Sequence, residues 1–243
     1  MLPASLRDLS RGFRELLYPS VCACCSTVAP EADGHFCPSC TATLTDDPHR
    51  TCPRCCSSIG EFTHTEKGCP QCRDERLQFD GSFRLGEYDG ALRDLVLRMK
   101  SGAGEMLAEC VGRLWAQRAE ARFRAVGADV VIPVPLHWRR RWQRGYNQSE
   151  ALSEAIAERL KLPHQPRWLK RIRHTPHQTA VSATERRENL RGAFRVSRGS
   201  NLKGKSVLLV DDVLTTGSTA SEVAKAMKGA GAVRVFVAVL AHR

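Results

Sequence analysis

Residues 206–221 read Ser206-Val-Leu-Leu-Val-Asp-Asp-Val-Leu-Thr-Thr-Gly-Ser-Thr-Ala-Ser221, and this stretch decides the fold. Val207, Leu208, Leu209 and Val210 form an apolar run too short for a buried helix, which predicts a strand buried on both faces. Asp211 and Asp212 follow it. Thr215, Thr216, Gly217, Ser218 and Thr219 then lead into a helical pattern of Val223, Ala224, Ala226 and Met227. A strand, a polar loop and a helix start make an anion site, because free backbone N–H groups and the positive helix end face the loop. Gly217 lets the backbone wrap a phosphate closely. The two carboxylates stand where they can accept from a pair of hydroxyls or hold a metal-bound water. An Asp-Asp pair before a turn is also ordinary capping, and Thr-rich turns are common. The combination, not either half, is the specific signal.

Working outward, 243 residues suit one domain plus an accessory module. The net charge of +11, from 37 basic and 26 acidic residues, suits a polyanionic partner. The first residues carry scattered charges and lack the apolar core of a signal peptide. No stretch approaches the ~20 apolar residues of a membrane span. These features predict a cytoplasmic protein, in which eleven cysteines serve as metal ligands more readily than as disulfides. Leu6, Leu9, Phe13, Leu16 and Leu17 form a helical stripe, ended by Pro19, that packs on the body or serves as a partner or membrane-surface helix.

Four C-x2-C pairs follow: Cys22/Cys25, Cys37/Cys40, Cys52/Cys55 and Cys69/Cys72. Such a turn points two thiolates at one metal, and two turns complete a tetrahedron. The spacing predicts two zinc ribbons. Sequential pairing (22, 25, 37, 40, then 52, 55, 69, 72) is favoured among several pairings, and a single site with four idle cysteines stays open. Cys24, Cys56 and Cys110 read as non-ligands. Composition changes at Phe79, which divides the chain into an N-terminal helix and double zinc ribbon (1–78) and an α/β domain (79–243).

In the second part, 82–88 alternates like a strand, 90–99 and a run through Trp115 read as helices, 129–135 as a buried strand, and 233–240 as a final strand. Asn147 and Glu150 form a capping box for a helix over 149–160. Between strand and helix, Arg139, Arg140, Arg141 and Arg144 crowd one loop with Trp138, Trp142 and Tyr146. Guanidinium forks suit phosphate oxygens, and aromatic faces suit bases. Residues 167–191 are rich in arginine and poor in apolar anchors, as expected of a flap, with His174 and His177 read as solvated. Strand–helix alternation predicts parallel strands with right-handed crossovers.

Taken in order, the cysteine pairs, Pro-Val-Pro-Leu, Arg-Gly-Tyr-Asn-Gln, Arg-His-Thr-x-x-Gln, Arg-x-x-Asn, Gly-Ala-Phe and Asp-Asp-Val-x-Thr-Thr-Gly-x-Thr form a series that resembles the ComF family of competence proteins over nearly the whole chain. The 206–221 stretch by itself is similar to the signature loop of type I phosphoribosyltransferases. The resemblance implies an α/β fold with a type I phosphoribosyltransferase-like parallel sheet, flanking helices and a small N-terminal zinc-ribbon module. It implies a phosphoribosyl pyrophosphate ligand carried with Mg2+. Asp211 and Asp212 would face the ribose hydroxyls, and Thr215, Thr216, Gly217, Ser218 and Thr219 would cradle the 5-phosphate. Arg139, Arg140, Arg141 and Arg144 would occupy the pyrophosphate loop and double as a nucleic-acid surface. Two structural Zn2+ ions on the eight paired cysteines, single-stranded DNA in DNA uptake, and a helicase or similar partner on the ribbons complete the expectation. The alternatives are a non-catalytic docking module and a phosphoribosyltransferase with a small-molecule acceptor. Thr215 stands where hypoxanthine-type enzymes carry an Asp base, which argues against purine salvage by that mechanism.

Overall fold

A computed structural model describes residues 21–27, 35–102, 104–173 and 188–243. The apolar stripe before Pro19, His174 and His177 lie outside these residues. Two compact units divide the chain, residues 1–44 and 45–243. In the first, Cys22 precedes a turn that Cys25 ends, and Cys37 stands directly before helix α1, Pro38–Thr45.

The second unit is built on a four-stranded parallel sheet of order β1-β6-β5-β2, comprising β1 (Gly81–Glu87), β2 (Val130–Pro133), β5 (Ser206–Leu214) and β6 (Arg234–His242). The apolar run at 207–210 is an inner strand with every residue buried, as both-face burial requires. Its alternate residues serve two cores. Val207 and Leu209 join Val130, Ile132, Val235 and Val237 over helix α7 (Ser218–Gly229), through Val223, Ala224 and Met227. Leu208 and Val210 are equally buried, on the face covered by helix α6 (Gln148–Leu160). Helices α2 (Gly90–Met99), α3 (Glu105–Arg118) and α4 (Glu120–Ala125) continue that layer, where Trp115 and Phe83 each meet Phe123 edge-to-face.

The strand differs from expectation in one respect. It does not stop at Val210 but carries Asp211 and Asp212 within it, since pairing to β6 continues through Asp211↔Val239 and Leu214↔His242. The arginine run is also corrected from a loop to helix α5, Trp138–Arg144, begun by the His137 side chain accepting from Arg139 N and ended by Gly145 at φ 81°. Tyr146 is buried rather than presented, and its hydroxyl donates to the Met99 carbonyl. Half of the expected capping box forms. Asn147 Oδ1 accepts from Ser149 N at 3.2 Å, but Glu150 pairs with Arg141 at 2.8 Å instead. A two-stranded antiparallel ribbon, β3 (Leu169–Arg171) with β4 (Phe194–Val196), closes the fold.

Helix α3 lies close on α6 because Gly112 has no side chain. A Cβ there would meet Ala155 Cβ at 3.0 Å and Leu152 Cα at 3.1 Å. Gly112→Val is expected to cost about 1–3 kcal/mol through overpacking, read as a lowered denaturant midpoint at unchanged slope.

Candidate functional site

At the carboxyl ends of β5 and β2, three sequence features meet. Asp211 and Asp212 lie in the last paired stretch of the inner strand, which runs on to Leu214, Thr215 to Thr219 lead into α7, and α5 follows β2. In an open α/β sheet, loops leaving the carboxyl ends of strands form the ligand crevice.

The carboxylates are held from α6 and α2. Ser149 Oγ and the Asp212 amide both donate to Asp211 Oδ1, each at 2.9 Å. Gln148 Nε2 donates to Asp212 Oδ2 at 3.0 Å, the Val213 amide donates to Oδ1 at 2.8 Å, and Lys100 Nζ stands 3.2 Å from Oδ2. Burial, and next the charge of Asp212, push the Asp211 carboxyl up to about 7. An anion-rich carboxylate pair of this kind fits a hard divalent cation with oxygen ligands, so the donor set fits Mg2+.

Gly217 caps α7 in the left-handed region at φ 71°, where a side chain would be strained. Thr216 Oγ1 and Ser218 Oγ lie 2.8 Å apart; Thr215 and Thr216 are exposed, while Ser218 is buried. The start of α7 is thus ringed by hydroxyls.

Helix α5 splits the arginines. Arg139 and Arg141 are exposed, and a groove lined by Trp138, Arg141, Trp142 and Gly145 opens beside them. Trp138 is 64% exposed and Trp142 85% exposed, with the Arg139 guanidinium 5.3 Å from the Trp138 ring. Arg140 is half-buried. Burial first, then the neighbouring Arg144 charge, lowers its guanidinium from the ordinary value. Burial first, then the charge of Arg140, lowers the Arg171 guanidinium on β3 from its ordinary value, with Asp211 opposing, and the guanidinium lies 5.5 Å from the Phe194 ring. Lys100, Gln148, Ser149 and Arg171 are members of the site that the motif reading did not assign to it. Their one signal in the sequence is position, at helix and strand ends that converge here.

The cysteines gather in two sets, Cys22/Cys25/Cys37/Cys40 and Cys52/Cys55/Cys69/Cys72, with sulfurs within 4.8 Å of one another in each. None of these is in a disulfide. Sulfur pairs stand at 3.8 Å (Cys25–Cys37), 3.8 Å (Cys52–Cys72), 3.5 Å (Cys55–Cys69) and 3.7 Å (Cys69–Cys72). A tetrahedron of Zn–S bonds near 2.3 Å has edges of about 3.8 Å, so both sets fit structural zinc. Burial raises the thiols of Cys56, to about 12, and Cys110, as befits inert core cysteines.

The second set is built onto the sheet. Ser82 N donates to Pro53 O at 3.0 Å, Ser57 Oγ meets His242 Nε2 at 3.2 Å, and the buried Arg84 pairs with Asp47 at 2.8 Å. From Cys72 the chain passes against the start of α7. Arg54 donates to the carbonyls of Cys72 (2.6 Å) and Glu75 (2.5 Å), and Gln78 N donates to Ser221 Oγ at 3.1 Å. Leu77 packs on both the cysteine set and the sheet core, and a Cβ on Gly217 would lie 3.3 Å from it.

The chain has relatives among known proteins. Residues 147–243 match the phosphoribosyl transferase domain. The chain is 31% identical over 211 residues to competence protein F of Haemophilus influenzae, covering 85% of this chain and 90% of that protein. It is 32% identical to DNA utilization protein YhgH of Escherichia coli K12, covering 91% and 97%. Among solved structures, glutamine phosphoribosylpyrophosphate amidotransferase from B. subtilis matches at 26% identity and TM-score 0.38 over 58% of this chain and 26% of that one, so this chain spans about a quarter of its length. Among the described residues, no helix is long and apolar enough to cross a membrane.

Proposed function

The chain belongs to the ComF family of competence and DNA-utilization proteins, and on that premise we propose that it binds phosphoribosyl pyrophosphate with Mg2+ and holds single-stranded DNA beside it. The observation that carries this reading is the division of labour at the sheet's carboxyl edge. Asp211, Asp212 and the hydroxyl-ringed start of α7 form one small, polar, inward site. Arg139, Trp138 and Trp142 form an outward surface on the same helix that sends Arg140 inward.

Each part has its physical warrant. The helix start and backbone amides suit a terminal phosphate, and the carboxylate pair suits a diol or a bound cation. Arg140, backed by Arg171, suits the diphosphate through its planar fork. Outside, exposed arginines neutralise strand phosphates while two tryptophans, four residues apart on one helix face, offer base-stacking area without demanding sequence.

A titration with a labelled oligonucleotide at several salt concentrations tests the outer surface. Affinity is expected to fall by roughly 0.7 log units per log unit of salt for each phosphate contacted. Arg139→Ala with Arg141→Ala is expected to flatten that slope by about 1.4, two contacts' worth. Trp138→Ala and Trp142→Ala are each expected to lose about 1–3 kcal/mol of binding with the slope intact. Binding indifferent to all four changes would place the DNA elsewhere on the chain.

A further inference from the structure

Lys100 carries no assigned role, yet it reaches the centre of the site. Its backbone ends α2, and its amide donates to Leu97 O at 3.0 Å. The preceding residue is pinned, since Met99 is wholly buried and its carbonyl receives the hydroxyl of buried Tyr146. Gly102 then passes near the Arg144 carbonyl, where a Cβ would stand 3.8 Å away. Lys100 is therefore anchored between the arginine helix and the carboxylate pair, with Nζ 3.2 Å from Asp212 Oδ2.

Two features distinguish this contact from a structural ion pair. Asp212 already accepts from Gln148 Nε2 and from the Val213 amide, so its oxygens are satisfied without the ammonium. The Lys100 side chain is also 29% exposed, against 12% for its partner, so the ammonium keeps a path to water while the carboxylate stays buried and able to receive another cation. A divalent cation entering at Asp212 would meet the ammonium a few ångströms away, and two cations on one carboxylate oxygen repel. The flexible four-carbon stem lets the displaced ammonium swing toward the nearest new anion.

We propose that Lys100 is a ligand-binding residue of this site, an ammonium that holds the place of the divalent cation against Asp212 and passes to the ligand's diphosphate when Mg2+ arrives. The inference rests on the reading of the site as one for a metal-bound phosphoribosyl diphosphate, and it names the diphosphate as the group Lys100 contacts. Lysine suits that task as a compact point charge, complementing the fork of Arg140.

Calorimetric titration of the full chain tests it in two arms, MgCl2 alone and phosphoribosyl pyrophosphate at saturating Mg2+. In Lys100→Met, Mg2+ alone is expected to bind about tenfold tighter, because its competitor is gone. The same variant is expected to bind phosphoribosyl pyrophosphate about tenfold or more weaker, the scale of a lost hydrogen bond to a charged group. Lys100→Arg, which keeps the charge, is expected to recover most of the second loss and guards against a folding artefact. Unchanged affinity in both arms, or weakening in both, would reduce Lys100 to a structural partner of Asp212 and overturn the proposal. Failure of the unaltered chain to bind phosphoribosyl pyrophosphate would overturn the diphosphate role together with the reading beneath it. That failure would be recognised by its presence in every variant, including the wild type, while the Mg2+ arm still reports whether the ammonium competes with the cation.

Discussion

Changing Asp211 and Asp212 together to Asn is expected to remove nearly all of the thermal stabilisation that phosphoribosyl pyrophosphate with Mg2+ gives the protein. A ligand that binds only the native state at about 100 times its Kd stabilises by about 2.7 kcal/mol, or about 5–10 °C for a unit of this size. Amides keep the shape of the carboxylates but not their charge. Asn can still accept from Ser149 Oγ and from the backbone amides of residues 212 and 213, while at position 212 its NH2 can no longer accept from Gln148 Nε2 or face the Lys100 ammonium, so the shift is read against the variant's own ligand-free melting temperature. The loss falls on the ligand. Two charged contacts at about 1.5–3 kcal/mol each weaken binding by at least about 100-fold, which leaves about 0.4 kcal/mol of stabilisation, or about 1 °C.

The pH dependence of the ligand-free protein supplies an internal control. The Asp211 carboxyl is raised to about 7, first by burial and then by Asp212. A raised carboxyl binds its proton more tightly when folded, so its contribution to stability is complete below the unfolded value near 4 and is lost as pH rises through about 7. The double variant has no such carboxyl, and its stability should decline less between pH 4 and 7. A full ligand shift in the variant would remove the carboxylates from the binding site, whatever the control shows.

The parts of this site that were legible in the sequence are those whose signal is local. Val207 to Val210 announce a strand because burial on both faces forces a continuous apolar run. The cysteine pairs announce themselves because a metal knuckle needs its two thiolates at fixed spacing. The parallel sheet is announced by the alternation of such runs with helical patterns, while its type I phosphoribosyltransferase-like character is what the resemblance of the 206–221 stretch implies.

What was misread depends on tertiary partners. Trp138 to Arg144 has no buried residue and so shows no apolar stripe; its seven residues are set as a helix by the His137 and Gly145 caps. Asp211 and Asp212 stay in the strand because β6 continues to pair with it, which no local propensity of Asp would suggest. Lys100 and Arg171 enter the site only because α2 and β3 end beside it. A short ion pair between residues so far apart in sequence leaves no periodic trace.

Removing zinc is expected to have an effect of comparable size on the same ligand, although no cysteine stands in the ligand site. Metal analysis should give close to two zinc ions per chain, one for each cysteine set. Binding of a structural zinc at four thiolates is worth about 10–16 kcal/mol in apparent terms, as much as the whole stability of an ordinary domain at about 5–15 kcal/mol. Without the ion at Cys52, Cys55, Cys69 and Cys72, the turn that places Arg54 has no centre. Its two hydrogen bonds to the carbonyls of Cys72 and Glu75 have nothing to hold them, and Leu77 loses the cysteine set from its packing. Leu77 also packs, with Phe79, over Gly217 at the start of α7, so that helix start loses part of its cover. The sheet keeps its own apolar core from β2, β5, β6 and α7, so loosening is expected to begin in the segment from Arg73 to Gln78. The measurement is therefore made at temperatures where far-UV circular dichroism still reports a folded sheet. There the chelated protein should show little or no phosphoribosyl pyrophosphate shift, and restored zinc should return it. Leu77→Ala in the zinc-loaded chain should reproduce part of that loss, since it breaks the packing link while leaving the metal in place. A chelated protein that keeps its full ligand shift would show that the cradle holds its shape without the strap, and a chain purified with no zinc and disulfide-bonded cysteines would undo the metal assignment itself.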